Sequence, residues 1–188
     1  MSQINLTQPP KFLGKQGHDN MSGLQEVFYV TPLFDIATLG VLRGDFGTPT
    51  FSEADPKGLV EIDDDHVFAP TKGFYSLKMV YDTISFEMTG GGKVDQTGKK
   101  VIVKASYVGP EEETDAMLAT LENNPLLLLV KNMQNKVLQV GGVRGIGCYL
   151  MSSFKTNNLT GDRAAYEFTF ESYMARRAFY KGVITTRS

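Results

Sequence analysis

The sequence predicts a mainly β fold, an antiparallel β-sandwich or barrel with one flanking α-helix and a long glycine-rich hairpin. Three observations carry this. Period-2 alternation recurs along the chain, most cleanly over residues 99–108 and 163–173. The composition, 12 Phe, 8 Tyr and 19 Gly in 188 residues, suits strands and turns better than helices. Only one segment carries both the start and stop signals of a helix.

Residues 1–25 are rich in Gln, Pro, Gly and Asn and show no period, so they read as an extended arm. Residues 26–188 then form a single domain, as expected for this length. Two short β-type runs, 26–31 and 33–38, are split by Pro32, which cannot donate to a central ladder. Residues 40–70 are loop-dominated, with one strand expected over 59–63. The next strand region, 74–88, changes phase. Leu77, Met79 and Tyr81 share one parity while Ile84, Phe86 and Met88 share the other, so a bulge or bend is expected near Asp82–Thr83.

A polar tip over 89–98 joins that strand to 99–108, where Val101, Val103, Ala105 and Tyr107 alternate with Lys100, Ile102, Lys104 and Ser106. Pro110 and Glu111-Glu112-Glu113 suit a helix N-terminus, by fixed φ and by the helix dipole. Met117, Leu118 and Leu121 supply an apolar stripe, and Asn123-Asn124-Pro125 stops the helix, which is expected over about 110–124. A hairpin follows, with strands 126–131 and 136–140 around a turn at 132–135. Then come a glycine-broken strand over 143–153, a turn at 155–161, and a strand over 163–173 with Tyr166, Phe168 and Phe170 on one face. A last extended stretch covers 178–185.

Charge and residue counts exclude several function classes. A net charge of −2 argues against a protein that wraps a nucleic-acid backbone. One cysteine, Cys148, leaves no internal disulfide, and the two histidines, His18 and His66, leave triad and zinc chemistry short of parts. The longest apolar run, 126–130, is far below the ~18 residues of a membrane helix. Residues 1–20 lack the apolar core of a signal peptide, so a soluble chain made in the cytoplasm is expected.

The glycine-lysine run Gly90-Gly91-Gly92-Lys93 lacks the G-x-x-x-x-G-K-[ST] spacing and has no helix behind it, so it reads as a hairpin tip. Residues 141–147 lack a dinucleotide fingerprint, and strand glycines there point to bulges or close backbone approach. Asp63-Asp64-Asp65-His66 is the best candidate metal cluster. Alternate strand residues face opposite ways and the calcium-loop spacing is missing, so a solvated acidic turn is expected. Cys148 reads as a small buried apolar residue. Arg176, Arg177 and Lys181 form a short basic patch, read as a solvated edge or salt-bridge partner. No catalytic, cofactor or metal residue is expected.

Residues 74–182 carry a recognisable order: a long strand, a glycine-rich hairpin, a second long strand, then the helix EEETDAMLATLENN. The hairpin PLLLLVKNMQNKVLQVGG follows, then Thr160-Gly-Asp-Arg-Ala-Ala-Tyr-Glu-Phe-Thr-Phe-Glu171 and Phe179-Tyr180-Lys181-Gly182. This resembles the tail-tube-type structural proteins of tailed bacteriophages infecting Bacteroidetes-type hosts. Ala164-Ala165 stands where such sequences often carry Asn-Gly, and the N-terminal third does not align. The resemblance implies a virion tail protein, not an enzyme, that forms homo-oligomeric rings, usually hexamers. Such rings stack with other tail proteins into a conduit that DNA passes without specific binding. It also admits a tail connector, terminator or head-decoration subunit.

A β-barrel that binds a small ligand in its interior is the alternative of a different class. Assembly is favoured because a polar glycine hairpin and an extended arm are costly to order alone. The expected subunit interface comprises Ile4, Leu6, Phe12 and Leu13 of the arm with Gly90, Gly91, Gly92, Lys93, Asp95 and Gln96 of the hairpin.

Overall fold

The computed structural model describes residues 23–42, 56–91, 98–109, 111–143, 145–155 and 165–187. Within them the chain is mainly β. In order come β1 (Leu24–Pro32), β2 (Ile36–Thr38), β3 (Glu61–Ile62), β4 (Val67–Phe68), β5 (Tyr75–Lys78), β6 (Ser85–Gly91) and β7 (Gly98–Tyr107). Helix α1 (Glu111–Leu121) follows. After it lie β8 (Leu126–Asn132), β9 (Val137–Val140), β10 (Tyr149–Lys155), β11 (Ala165–Met174) and β12 (Ala178–Tyr180).

The strands form a six-stranded sheet ordered β3-β12-β9-β8-β1-β5, a four-stranded sheet ordered β10-β11-β7-β6, and the small pair β2-β4. Among the described residues none of these sheets closes on itself, so the barrel form of the expected fold is corrected: β3 and β5 end one large sheet and β6 and β10 the other. Nearly all neighbours are antiparallel; β6–β7, β8–β9 and β10–β11 are hairpins between consecutive strands, and the other antiparallel pairs join strands further apart in the chain. The exception is β12 against β3, which pair in parallel although they lie far apart in the sequence.

The core draws on both large sheets. β8 is buried along Leu126–Val130, because it lies inside the six-stranded sheet with both of its faces covered. On one face, Phe28 of β1 meets Phe170 of β11, ring centroids 6.3 Å apart, and Val101, Val103 and Phe168 join the same core. On the other face, Tyr29 packs on Phe74, which in turn meets Phe68 and His66. Alternation along β7 and β11 reads out as expected, with Tyr166, Phe168 and Phe170 all buried.

The single long strand expected over 74–88 is two strands in two sheets. β5 pairs with β1, Val30 opposite Tyr75, whereas β6 pairs with β7, Phe86 opposite Val103. Between them the chain makes a 3-10 turn at Tyr81–Thr83. Thr83 holds the crossing: its hydroxyl donates to the Val80 carbonyl at 2.7 Å and accepts from the Ser106 amide at 2.8 Å. The change of parity therefore marks a change of sheet.

Other boundaries shift for local reasons. β1 begins at Leu24, so Leu24 and Gln25 are strand residues and not arm. Pro32 closes β1, and the run 33–38 becomes a 3-10 turn at Leu33–Asp35 followed by three-residue β2. β3, β10 and β12 are all shorter than the runs expected for them. Before β10 the backbone turns tightly at Gly141, whose φ of +84° suits only glycine, and a Cβ there would sit 2.6 Å from the Leu126 carbonyl oxygen and the Cys148 amide. This is the close backbone approach read from the glycines of 141–147. Helix α1 buries Leu118 and Leu121 and leaves Glu111, Glu112 and Glu113 exposed, with Asn123 at φ 62° just past its end.

Candidate functional site

Alternation on strands that are buried on one side only leaves a second row of side chains facing out. In the four-stranded sheet that row is unusually apolar. Tyr149, Met151 and Tyr173 are 51%, 51% and 60% exposed. Register places Tyr149 opposite Glu171, Met151 opposite Thr169, and Tyr173 opposite Lys100. Ion pairs frame this row, Lys100 with Glu171 at 2.8 Å and Lys155 with Glu167 at 2.7 Å. Among the described residues β10, which supplies two of the three apolar residues, also ends its sheet, with no proline or bulge to blunt it. Phe154, on its opposite face, is 42% exposed and packs on Tyr166 at 4.7 Å.

The hairpin of the expected interface is present up to its tip. Gly90 pairs with Lys99 and Gly91 with Gly98, the last rungs of the β6–β7 ladder. Gly90 and Gly98 are exposed, and a Cβ at either would touch nothing within 4 Å, so packing inside the subunit does not demand glycine at either position. The remaining interface residues, Gly92, Lys93, Asp95 and Gln96 with Ile4, Leu6, Phe12 and Leu13, lie outside the described residues.

A groove of about 370 Å³ opens where the two large sheets end together. Leu24 of β1, Leu138 of β9, and Ile84 and Phe86 at the start of β6 line it, with Asn132, Gln134 and Arg177 among its polar lining residues. Gly23 lies on the groove as well, so the arm joins the domain there. Sequence reasoning missed the outward row and the groove. The outward row was legible in the alternation of Tyr149-Leu150-Met151; the groove joins residues far apart in sequence and was not.

The acidic run does not converge on a metal. Asp63, Asp64 and Asp65 are exposed, and the Asp65 carboxylate accepts from the Val183 amide at 2.7 Å. Lys181 pairs with Glu61 at 2.9 Å and reaches Asp63 at 4.0 Å. Among the described residues, no group of three or more His, Cys, Asp or Glu is placed to hold a metal ion. His66 turns inward instead. Its Nδ1 accepts from the Gly40 amide at 3.0 Å, which leaves Nε2 as the donor to the Gln139 carbonyl oxygen, also 3.0 Å away. The ring stacks on Tyr180 at 4.4 Å, and the Tyr180 hydroxyl accepts from the His66 amide while donating to the Val183 carbonyl. Burial holds the imidazole pKa below its ordinary value, outweighing the hydrogen bond to Gln139 and the Asp65 charge.

Three further polar groups are occupied structurally. Asp35, buried, pairs with Arg187 and with Lys72 at 3.3 Å, and Arg187 also donates to the Tyr75 hydroxyl. This fixes the segment that carries Thr186 beside Phe74. Cys148 is fully buried, and burial pushes its thiol pKa up, away from the reactive thiolate. Tyr166 donates to Asp115 at 2.9 Å, and burial together with that carboxylate raises its phenol to about 12. Chemically, the exposed features offer contact area and strand pairing.

Comparison with protein-family models, with curated proteins and with solved structures gives no match.

Proposed function

We propose that the chain is a non-enzymatic structural subunit of a bacteriophage tail, acting in homo-oligomeric rings that form a conduit for DNA. In this reading the two large sheets face each other as an antiparallel sandwich, and ring contacts use the surfaces left open around it. The observation that carries the proposal is the β10 edge with its outward row of Tyr149, Met151 and Tyr173, exposed apolar area beside an unpaired ladder. An edge of that kind is a ready template for pairing with another chain. The order of elements across residues 74–182, with its resemblance to tail-tube-type proteins, supports the choice of a tail component over other assemblies. A connector, terminator or head-decoration subunit would draw on the same surfaces.

The interior supports a structural role over a ligand-binding barrel. Phe28, Phe168 and Phe170 pack in the core together with buried leucines on both faces of β8, which leaves large apolar side chains where a barrel would hold a ligand. Size-exclusion chromatography with light scattering tests the reading. A discrete oligomer of several subunits is expected, and a monomer at all concentrations up to the millimolar range contradicts it.

A further inference from the structure

A pocket at the first turn of α1 holds a polar group that the subunit's own packing leaves unsatisfied. It has a volume of about 220 Å³ and is lined by Tyr75 and Leu77 of β5, Tyr107 of β7, and Glu113, Thr114 and Met117 of α1. Thr114 is 2% exposed, and its hydroxyl has no hydrogen-bond partner. Burying a hydroxyl unpaired is costly, so the pocket lacks a polar ligand group. Local charge sets the sign of that group. α1 carries Glu111, Glu112, Glu113 and Asp115 and no basic residue. Arg187, which lies over the Tyr75 ring at 4.2 Å, is already paired with Asp35. A cationic donor with a flat face that stacks on tyrosine fits this lining, and that description is a guanidinium.

We infer that this pocket receives the Arg176 side chain of a second copy of this chain. The inference rests on the homo-oligomeric reading above. In the contact, guanidinium N–H groups donate to the Thr114 hydroxyl oxygen and to the Glu113 carboxylate. Arg176 is exposed in the turn between β11 and β12 and forms no ion pair among the described residues. Its neighbour Arg177 lies instead over the Phe179 ring at 5.9 Å. Position excludes the parent subunit. The β7–β11 ladder runs from Tyr107 and Tyr166, where Tyr166 meets Asp115 of α1, to Lys99 and Met174, two residues before Arg176. Those ends lie about 26 Å apart along the strands, beyond the reach of one side chain. The six-stranded sheet agrees. β5, which carries Tyr75 and Leu77, ends it on one side, and β12, which directly follows the arginines, lies next to its other end. The acidic pocket and the basic turn therefore sit on opposite flanks. That is the disposition of a head-to-tail contact, which closes into a ring when the rotation between copies permits.

Charge exchange tests the contact. Arg176 and Glu113 are both exposed, so every variant is expected to fold, which thermal melts check. Arg176→Glu and Glu113→Arg, made singly in the full-length chain, are each expected to raise the dissociation constant of the oligomer at least about tenfold, read by light scattering on dilution. The double variant restores opposite charges across the contact and is expected to recover association to within about threefold of the wild type. Thr114→Val removes the hydroxyl that the guanidinium satisfies. It is expected to leave the melting temperature unchanged or raised, since no internal bond is lost, and to weaken association at least about threefold. Three results overturn the inference: single charge variants that associate as the wild type does, a double variant no better than the single ones, or Thr114→Val with unaltered association. Light scattering on the wild type separates the two levels. Oligomers that ignore these substitutions remove only this contact, whereas a monomeric wild type removes the homo-oligomeric reading along with it.

Discussion

At the residue scale, His66 shows what local sequence does and does not convey. The run Asp63–His66 reads in the sequence as a solvated acidic turn, and its aspartates are exposed, yet His66 is buried and its partners are Gly40, Gln139 and Tyr180, lying 26, 73 and 114 residues away. No spacing rule links such positions. The buried network has a pH signature. The native imidazole pKa is lowered from its ordinary 6.5, so the unfolded chain binds the proton more readily. The stabilisation is complete above pH 6.5 and is lost as pH falls through the lowered native value. Thermal melts from pH 7.5 to 5 are expected to show a steeper acid loss for the wild type than for His66→Phe, and parallel curves contradict this. At neutral pH, His66→Ala leaves Gln139 and the Gly40 amide without their partner and is expected to destabilise by at least ~1–3 kcal/mol. Leu121 is the opposite case, since the helical stripe placed it correctly and it is fully buried. Leu121→Ala is expected to cost ~2–5 kcal/mol in denaturant unfolding, and a loss below about 0.5 kcal/mol would put the stripe on the surface.

Elements were legible where their signals are local. The sequence over 110–125 carries a proline, three glutamates, an apolar stripe and a stop signal, and α1 folds within that stretch. The β8–β9 hairpin is similar, because Asn132 closes its own turn by accepting from the Gln134 and Lys136 amides. The strand region 74–88 was half legible. Its parity slip was visible, but transfer of the chain from one sheet to the other depends on β1 and β7, which lie elsewhere in the sequence. The β6–β7 hairpin carries the element-scale test. Replacing residues 91–98 with Asn-Gly joins Gly90 to Lys99, which already face each other, through a two-residue turn. The shortened subunit is expected to melt as the parent does and to lose assembly. Unaltered assembly removes the hairpin from the interface.

For the whole molecule, the mainly β class with one helix was legible and sheet order was not. Alternation and turn chemistry specify strands and hairpins, but the pairing of β12 with β3, or of β5 with β1, joins residues from distant parts of the chain. Edge identity follows from sheet order, so the position of β10 at the end of its sheet came into view only with the tertiary structure. Met151 tests that surface. A lysine there lies on the solvent face of β10, and charge on an edge strand opposes pairing. Met151→Lys is expected to leave the melting temperature unchanged while shifting the oligomer towards monomer, and wild-type association by the variant removes β10 from the contact. The central claim, a subunit that closes into rings, is most directly tested by electron microscopy of the purified full-length chain. Annular particles with a central opening, alone or stacked into tubes, are the expected result; only compact particles of single-subunit size, at concentrations well above those used for assembly, contradict the account.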